Sequence, residues 1–223
     1  MEGTGFNQDM ASLVREMVRI FKQKRDRKKI SERTSRGRST ASADDFENEL
    51  AKLVEKHTGG EFSIYVDFPV SYKIPTDSRA KIFYPDVAIV KNDENKKVLV
   101  GILEAKIDPG WLKSEWAQKR TELLEKLQDK NTMLSINGHQ ISVAEKLVRA
   151  TIVLSGRNHS EHLAHLDGHS PIVLISEKEA HPNTDIGDVN EYVKKAAENN
   201  KNDWERLRGV LQKIANRGGS LNS

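Results

Sequence analysis

There is no cysteine in this chain of 223 residues. That excludes disulfides, thiolate metal sites and a cysteine nucleophile, and it fits a reducing cytoplasm. Long apolar runs are missing as well. No stretch of about 18 apolar residues occurs, so no membrane-spanning helix is expected. The first residues carry no apolar signal-peptide core, and a cytoplasmic protein is the expectation. A Gly-rich phosphate loop is absent, which leaves no case for a nucleotide cofactor. No Gly-x-Ser-x-Gly elbow is found either.

What the sequence has in quantity is charge. Charged residues make up 31% of it, yet the net charge is only +3. The excess is unevenly placed: residues 1–38 hold 11 Lys/Arg against 5 Asp/Glu, and the remainder is slightly acidic. Most of the excess lies in FKQKRDRKKISERTSRGR, residues 21–38. One reading is a solvated charge run. The other is an arm that follows a phosphate backbone, with Arg33, Arg36 and Arg38 among its contacts. We divide the chain accordingly into a basic helix and flexible arm, 1–41, and a main domain, 42–223, with a helical tail.

Hydrophobic spacing predicts a helix over 9–29 capped by Asp9, and a second over about 43–57 that buries Phe46, Leu50, Leu53 and Val54. Residues 31–43 read as a loop. Strands are expected at 61–72, 82–91 and 97–107, then a long helix at 111–130 and a short one at 142–148. Two more strands follow at 149–155 and 171–176, and a mostly helical tail at 188–217. This order predicts an α/β protein with a mixed five-stranded sheet flanked by helices on both faces. In strand 97–107, strict alternation would set Val98, Val100 and Ile102 against Leu99, Leu103 and Ala105.

The hairpin FYPDVAIVKNDENKKVLVGILEAKID, residues 83–108, carries polar groups where a buried hairpin needs none. Glu104 and Lys106 share a strand face. If the turn centres between Asp93 and Lys96, Asp86 lies across from residues 101–103 and within reach of Glu104. Two close carboxylates repel, and burial worsens the repulsion. A hard divalent cation such as magnesium would join them, polarise a phosphodiester and acidify a bound water. Lys106 beside it would orient that water or stabilise developing negative charge. The competing reading is a structural ion pair of Lys106 with Asp86 or Glu104. Other Asp/Glu-x-Lys tripeptides of the chain, at 26–28 and 94–96, lie in a basic helix and in a turn.

Pro85-Asp86, 17 residues, then Glu104-Ala105-Lys106 resembles the signature of the PD-(D/E)XK nuclease superfamily, the restriction-endonuclease-like fold. Locally, over residues 83–108, it is similar to EcoRI-type restriction enzymes. The resemblance implies that Asp86 and Glu104 bind Mg2+ and that Lys106 assists the attacking water. DDFENELAKLVEKHTGG, residues 44–60, is similar to the helix that carries a further glutamate in many members, which would be Glu47, with Glu49 as its rival. The function implied is a type II restriction endonuclease, a magnesium-dependent hydrolase of double-stranded DNA acting as a homodimer. The alternatives are a nuclease of repair or phage recombination, and a non-catalytic DNA-binding protein of the same fold.

Three weaker signals complete the reading. Lys113 and Arg120 of the long helix would face DNA, because that helix begins just beyond Lys106. The segment RNHSEHLAHLDGH, residues 157–169, is read as a loop whose Arg157 and Asn158 would touch phosphate or base edges. Its four histidines make a zinc site conceivable, though without cysteine.

Overall fold

The computed structural model describes residues 3–31, 34–35, 42–93, 96–108, 114–156 and 171–217. Helix α1 (Gly3–Lys28) forms because Phe6, Met10, Leu13, Val14, Met17, Val18 and Phe21 recur at helical spacing, and all of them are buried. It starts before Asp9, so Asp9 is not its cap. The Asp9 carboxylate instead receives Lys56 Nζ at 2.6 Å and faces His57 Nε2 at 3.1 Å, both on α2 (Ala43–Thr58). Helix α2 buries the expected Phe46, Leu50, Leu53 and Val54, and ends where Gly59 takes a φ of 98°. Both helices share one hydrophobic cluster with α4 (Val189–Asn199) and α5 (Lys201–Ala215). The division at residue 41 is therefore one of charge, while α1 packs with the rest. The side chains of residues 26–41 lie outside the described residues. Their backbone includes a short antiparallel pair, β1 (Lys29–Ser31) and β2 (Thr34–Ser35), which runs from the end of the expected helix into the expected loop.

The main sheet is mixed, mostly antiparallel and open, and among the described residues it has eight strands where five are expected. They are β3 (Phe62–Val66), β4 (Val70–Lys73), β5 (Lys81–Phe83), β6 (Val87–Asp93), β7 (Lys96–Lys106), β8 (Met133–Ile136), β9 (His139–Ser155) and β10 (Ile172–Ile175). Their order is β3-β6-β7-β9-β8-β4-β5, with β10 beside β9. Each extra strand has a local cause. The run 61–72 breaks into β3 and β4 because Asp67 has a φ of 44° and Pro69 has no N–H to give a ladder. Pro85 likewise separates β5 from β6. Strand β8 exists because Asn137 and Gly138, with φ of 50° and 73°, make a tight two-residue hairpin to β9. The helix expected at 142–148 is part of β9: Ser142, Val143 and Val148 pair with Val98, Leu99 and Gly101 of β7, and the sheet overrides local propensity.

On its edge away from β7, strand β9 serves two partners in turn. Its first residues pair antiparallel with β8, and its last pair parallel with β10. The helices α1, α2, α4 and α5 cover one face. On the other, Leu124 and Leu127 of α3 (Ser114–Gln128) share a second cluster with β4, β5 and β8. Strand β7 is apolar on both faces, as expected, but not by strict alternation. A bulge at Val100 shifts the register between Leu99 and Gly101. Val100, Leu103 and Ala105 face the four helices, while Leu99 and Ile102 face α3. Among the described residues no helix is long and apolar enough to cross a membrane.

Gly101 lets α5 pack close against β7. A Cβ there would meet Ile89 Cδ1 at 3.0 Å and Ile214 Cδ1 at 3.2 Å, both tips of fully buried side chains. Gly101→Val is expected to destabilise the fold by about 1–3 kcal/mol through overpacking. A lower midpoint in urea at unchanged slope checks this; an unchanged midpoint would contradict it.

Candidate active site

The site lies where parallel strands β7 and β9 reach their carboxyl ends. In open α/β sheets this edge collects ligands, since loops and helix ends leave a crevice there. The turn of the β6–β7 hairpin is centred as expected, with Asp93 opposite Lys96. Because of the bulge, the register beyond it runs Ile89 to Gly101 and Val87 to Leu103. Continued by one residue, it sets Asp86 opposite Glu104, one place beyond the expected 101–103.

The local chemistry follows from that register. Asp86 Oδ2 accepts the Ala105 N–H at 2.7 Å and Lys106 Nζ at 2.5 Å. Lys106 Nζ also approaches Glu104 Oε2 at 3.4 Å. Glu104 Oε1 forms an ion pair with Nη2 of Arg120, from α3. Side-chain exposures of 17% for Asp86, 21% for Lys106, 8% for Glu104 and 11% for Arg120 place these charges largely out of water. At such burial every charge needs a partner. The amide and two cations meet that need for Asp86 and Glu104.

The helix glutamate is Glu47. Its carboxyl is pushed up from 4.5 to about 7, first by burial, then by the charge of Asp86, with Asp67 and Asp44 adding to the rise and Lys106 opposing it. Glu47 is thus in electrostatic contact with Asp86 and Lys106. Glu49 turns the other way: it pairs with Lys52 at 2.6 Å and lies in a cleft lined by Glu16 and Arg19 of α1. Since the two glutamates flank the apolar stripe of α2 on opposite sides, only the docking of α2 on β3 and β7 decides between them.

Arg120 departs from expectation. Rather than facing outward toward DNA, its guanidinium points inward to Glu104 and lies over the Phe83 ring, 5.7 Å from the centroid. Arg33, Arg36, Arg38, Lys113, Arg157 and Asn158, like the histidines of 157–169, lie outside the described residues. Asp67 was not singled out by motif. Its N–H donates to the Asp86 carbonyl at 3.1 Å, and its carboxylate acts on Glu47. The signal for it was local: an Asp two residues before a Pro inside a strand-like run. Among the described residues no three acidic or histidine side chains are gathered closely enough to hold a metal ion by themselves. No family model, no curated protein and no solved structure matches the chain.

The raised Glu47 value has a sign that can be tested. Between pH 4.5 and about 7 the folded protein keeps a proton that the unfolded chain releases. Its contribution to stability is therefore fully present below that window and is lost as pH rises through it. Carbon NMR of the carboxyl groups should find Glu47 titrating near neutrality, and Asp86→Asn should move it toward the ordinary range. Titration of Glu47 at the ordinary value in both proteins would contradict the geometry.

Proposed function

We propose that the chain is a type II restriction endonuclease, a magnesium-dependent hydrolase of phosphodiester bonds in double-stranded DNA. The observation that carries this reading is the convergence of Asp86, Glu104, Lys106 and Glu47, from two adjacent strands and one helix, at the carboxyl edge of the parallel strands. Support also comes from the architecture. Strands β3, β6, β7, β9 and β10 are contiguous, with α2 before them and α3 between β7 and β9, which is the element order expected of a restriction-endonuclease-like core. The strands β4, β5 and β8 form an added wing.

The donor chemistry fits magnesium. Asp86 and Glu104 are hard oxygen donors on facing strands, and the Lys106 ammonium now bridges them as a cation would. Magnesium is commonly held by one or two carboxylates, with water and phosphate completing its shell, so a third protein ligand is not required. When bound, the ion supplies a polarised phosphate and an acidified water. Asp86 and Glu104 would hold it, and Glu47 would offer a further oxygen beside Asp86. Lys106, released from the carboxylates, is placed to orient the water and to stabilise charge that develops on phosphate. The reading includes a symmetric homodimer, because one such site cuts one strand and a two-fold axis matches a palindrome. The basic residues of the first 38 would supply salt-dependent affinity for the DNA backbone.

The test is to incubate the full chain with a long DNA of known sequence, with Mg2+ or with chelator, and to map the fragment ends. Discrete Mg2+-dependent fragments sharing one end sequence are expected. Asp86→Ala and Lys106→Ala, if folded, should lower the rate by about two orders of magnitude or more. A smear or loss from ends would instead indicate a repair or recombination nuclease. Tight binding without cleavage would indicate a DNA-binding protein of this fold.

A further inference from the structure

Arg120 has no part in the chemistry just proposed, yet it is largely buried against the site. It comes from α3 and pairs with Glu104 on β7. Its guanidinium lies over Phe83, a buried residue at the end of β5. Three elements thus fix one cation against one oxygen of a carboxylate that is 8% exposed. Lys106 stands at 3.4 Å from the other oxygen.

We propose that Arg120 is a built-in counter-cation that competes with the divalent ion for the charge of Glu104 and thereby sets the metal affinity of the site. The inference rests on the nuclease reading and adds a control to it. A carboxylate as buried as Glu104 destabilises the fold unless a cation accompanies it. Arginine cannot lose its proton at any relevant pH, so this neutralisation is permanent. A guanidinium also stacks on an aromatic face and is weakly hydrated, which suits it to a partly dry position that an ammonium would tolerate poorly. The same fixed charge repels a divalent ion on Glu104, and with little water between them the repulsion is scarcely screened.

Two consequences follow for the working protein. Without metal, the fold keeps its buried acids neutralised and remains stable. Metal binding is held weak until another negative charge enters the site. The phosphate of bound DNA supplies that charge, so metal and DNA bind in each other's favour. Such a coupling is reciprocal: DNA tightens metal as much as metal tightens DNA.

The test uses the full chain without DNA. Mn2+ binding is followed by calorimetry, and thermal unfolding is recorded in chelator and in saturating Mn2+. Arg120→Gln is expected to bind Mn2+ roughly fivefold or more tightly than wild type, from loss of a nearby charge in a weakly screened site. Arg120→Lys offers a charge that holds this partly dry position less firmly, and is expected to bind Mn2+ with an affinity between those of wild type and the Gln variant. In chelator the Gln variant should unfold at a lower temperature than wild type, and Mn2+ should raise its transition by more. If the Gln variant does not fold, Arg120→Met keeps the apolar packing and is judged by the same affinity criterion. A folded variant that binds Mn2+ with equal or lower affinity than wild type overturns the counter-cation role and leaves the nuclease reading standing. Failure of wild type and variants alike to bind Mn2+ overturns the counter-cation role, and the nuclease reading then stands or falls with the DNA cleavage described above.

Discussion

Two carboxylates set side by side at the end of a central strand must be neutralised, and much of the site's construction answers that requirement. Asp86 and Glu104 take an amide, an ammonium and a guanidinium between them. Glu47 enters the same field from α2, and burial together with the charge of Asp86 suppresses its ionisation. Charge is balanced in a weakly screened place: two cations face Asp86 and Glu104, and the third acid holds its proton up to about neutral pH. A divalent cation would change that balance in one step, which is why we read the cluster as a site and not as a structural ion pair alone.

Backbone devices set the balance up. The bulge at Val100 advances the hairpin register by one residue and brings Asp86 opposite Glu104. The left-handed turn at Asp67 ends β3 and ties its N–H to the Asp86 carbonyl. Helix α2 packs on β3, on β7 and on α5, which fixes the side from which Glu47 arrives. Helix α5 is itself anchored where Trp204 Nε1 donates to the Leu174 carbonyl of β10 at 3.0 Å. The charged cluster thus sits on packed elements, as a preorganised site requires.

Much of this was legible in the residues. The apolar stripe of α2, the centre of the β6–β7 turn and the closeness of Asp86, Glu104 and Lys106 all follow from spacing. What spacing left open was decided by tertiary contact. Glu47 and Glu49 flank one stripe at similar angles, and only the neighbours of α2 separate them. Arg120 reads as a surface cation because nothing local reveals the carboxylate it crosses to reach. Residues 142–148 have helical spacing, but β7 pairs with both ends of the segment, and it lies within β9. The Asn137-Gly138 pair is a strong local hairpin signal for β8. The bulge has no sequence mark beyond Gly101, and alternation past it is lost.

The central claim is that Asp86, Glu104, Lys106 and Glu47 form one cation-binding site. Anomalous scattering from a crystal of the protein soaked in Mn2+ tests it most directly. The account predicts a peak bonded to the Asp86 and Glu104 carboxylates, with the Lys106 ammonium moved off Asp86. No peak at this cluster in a well-soaked crystal, with Lys106 still seated on Asp86, would make the cluster a structural ion-pair network and contradict the account.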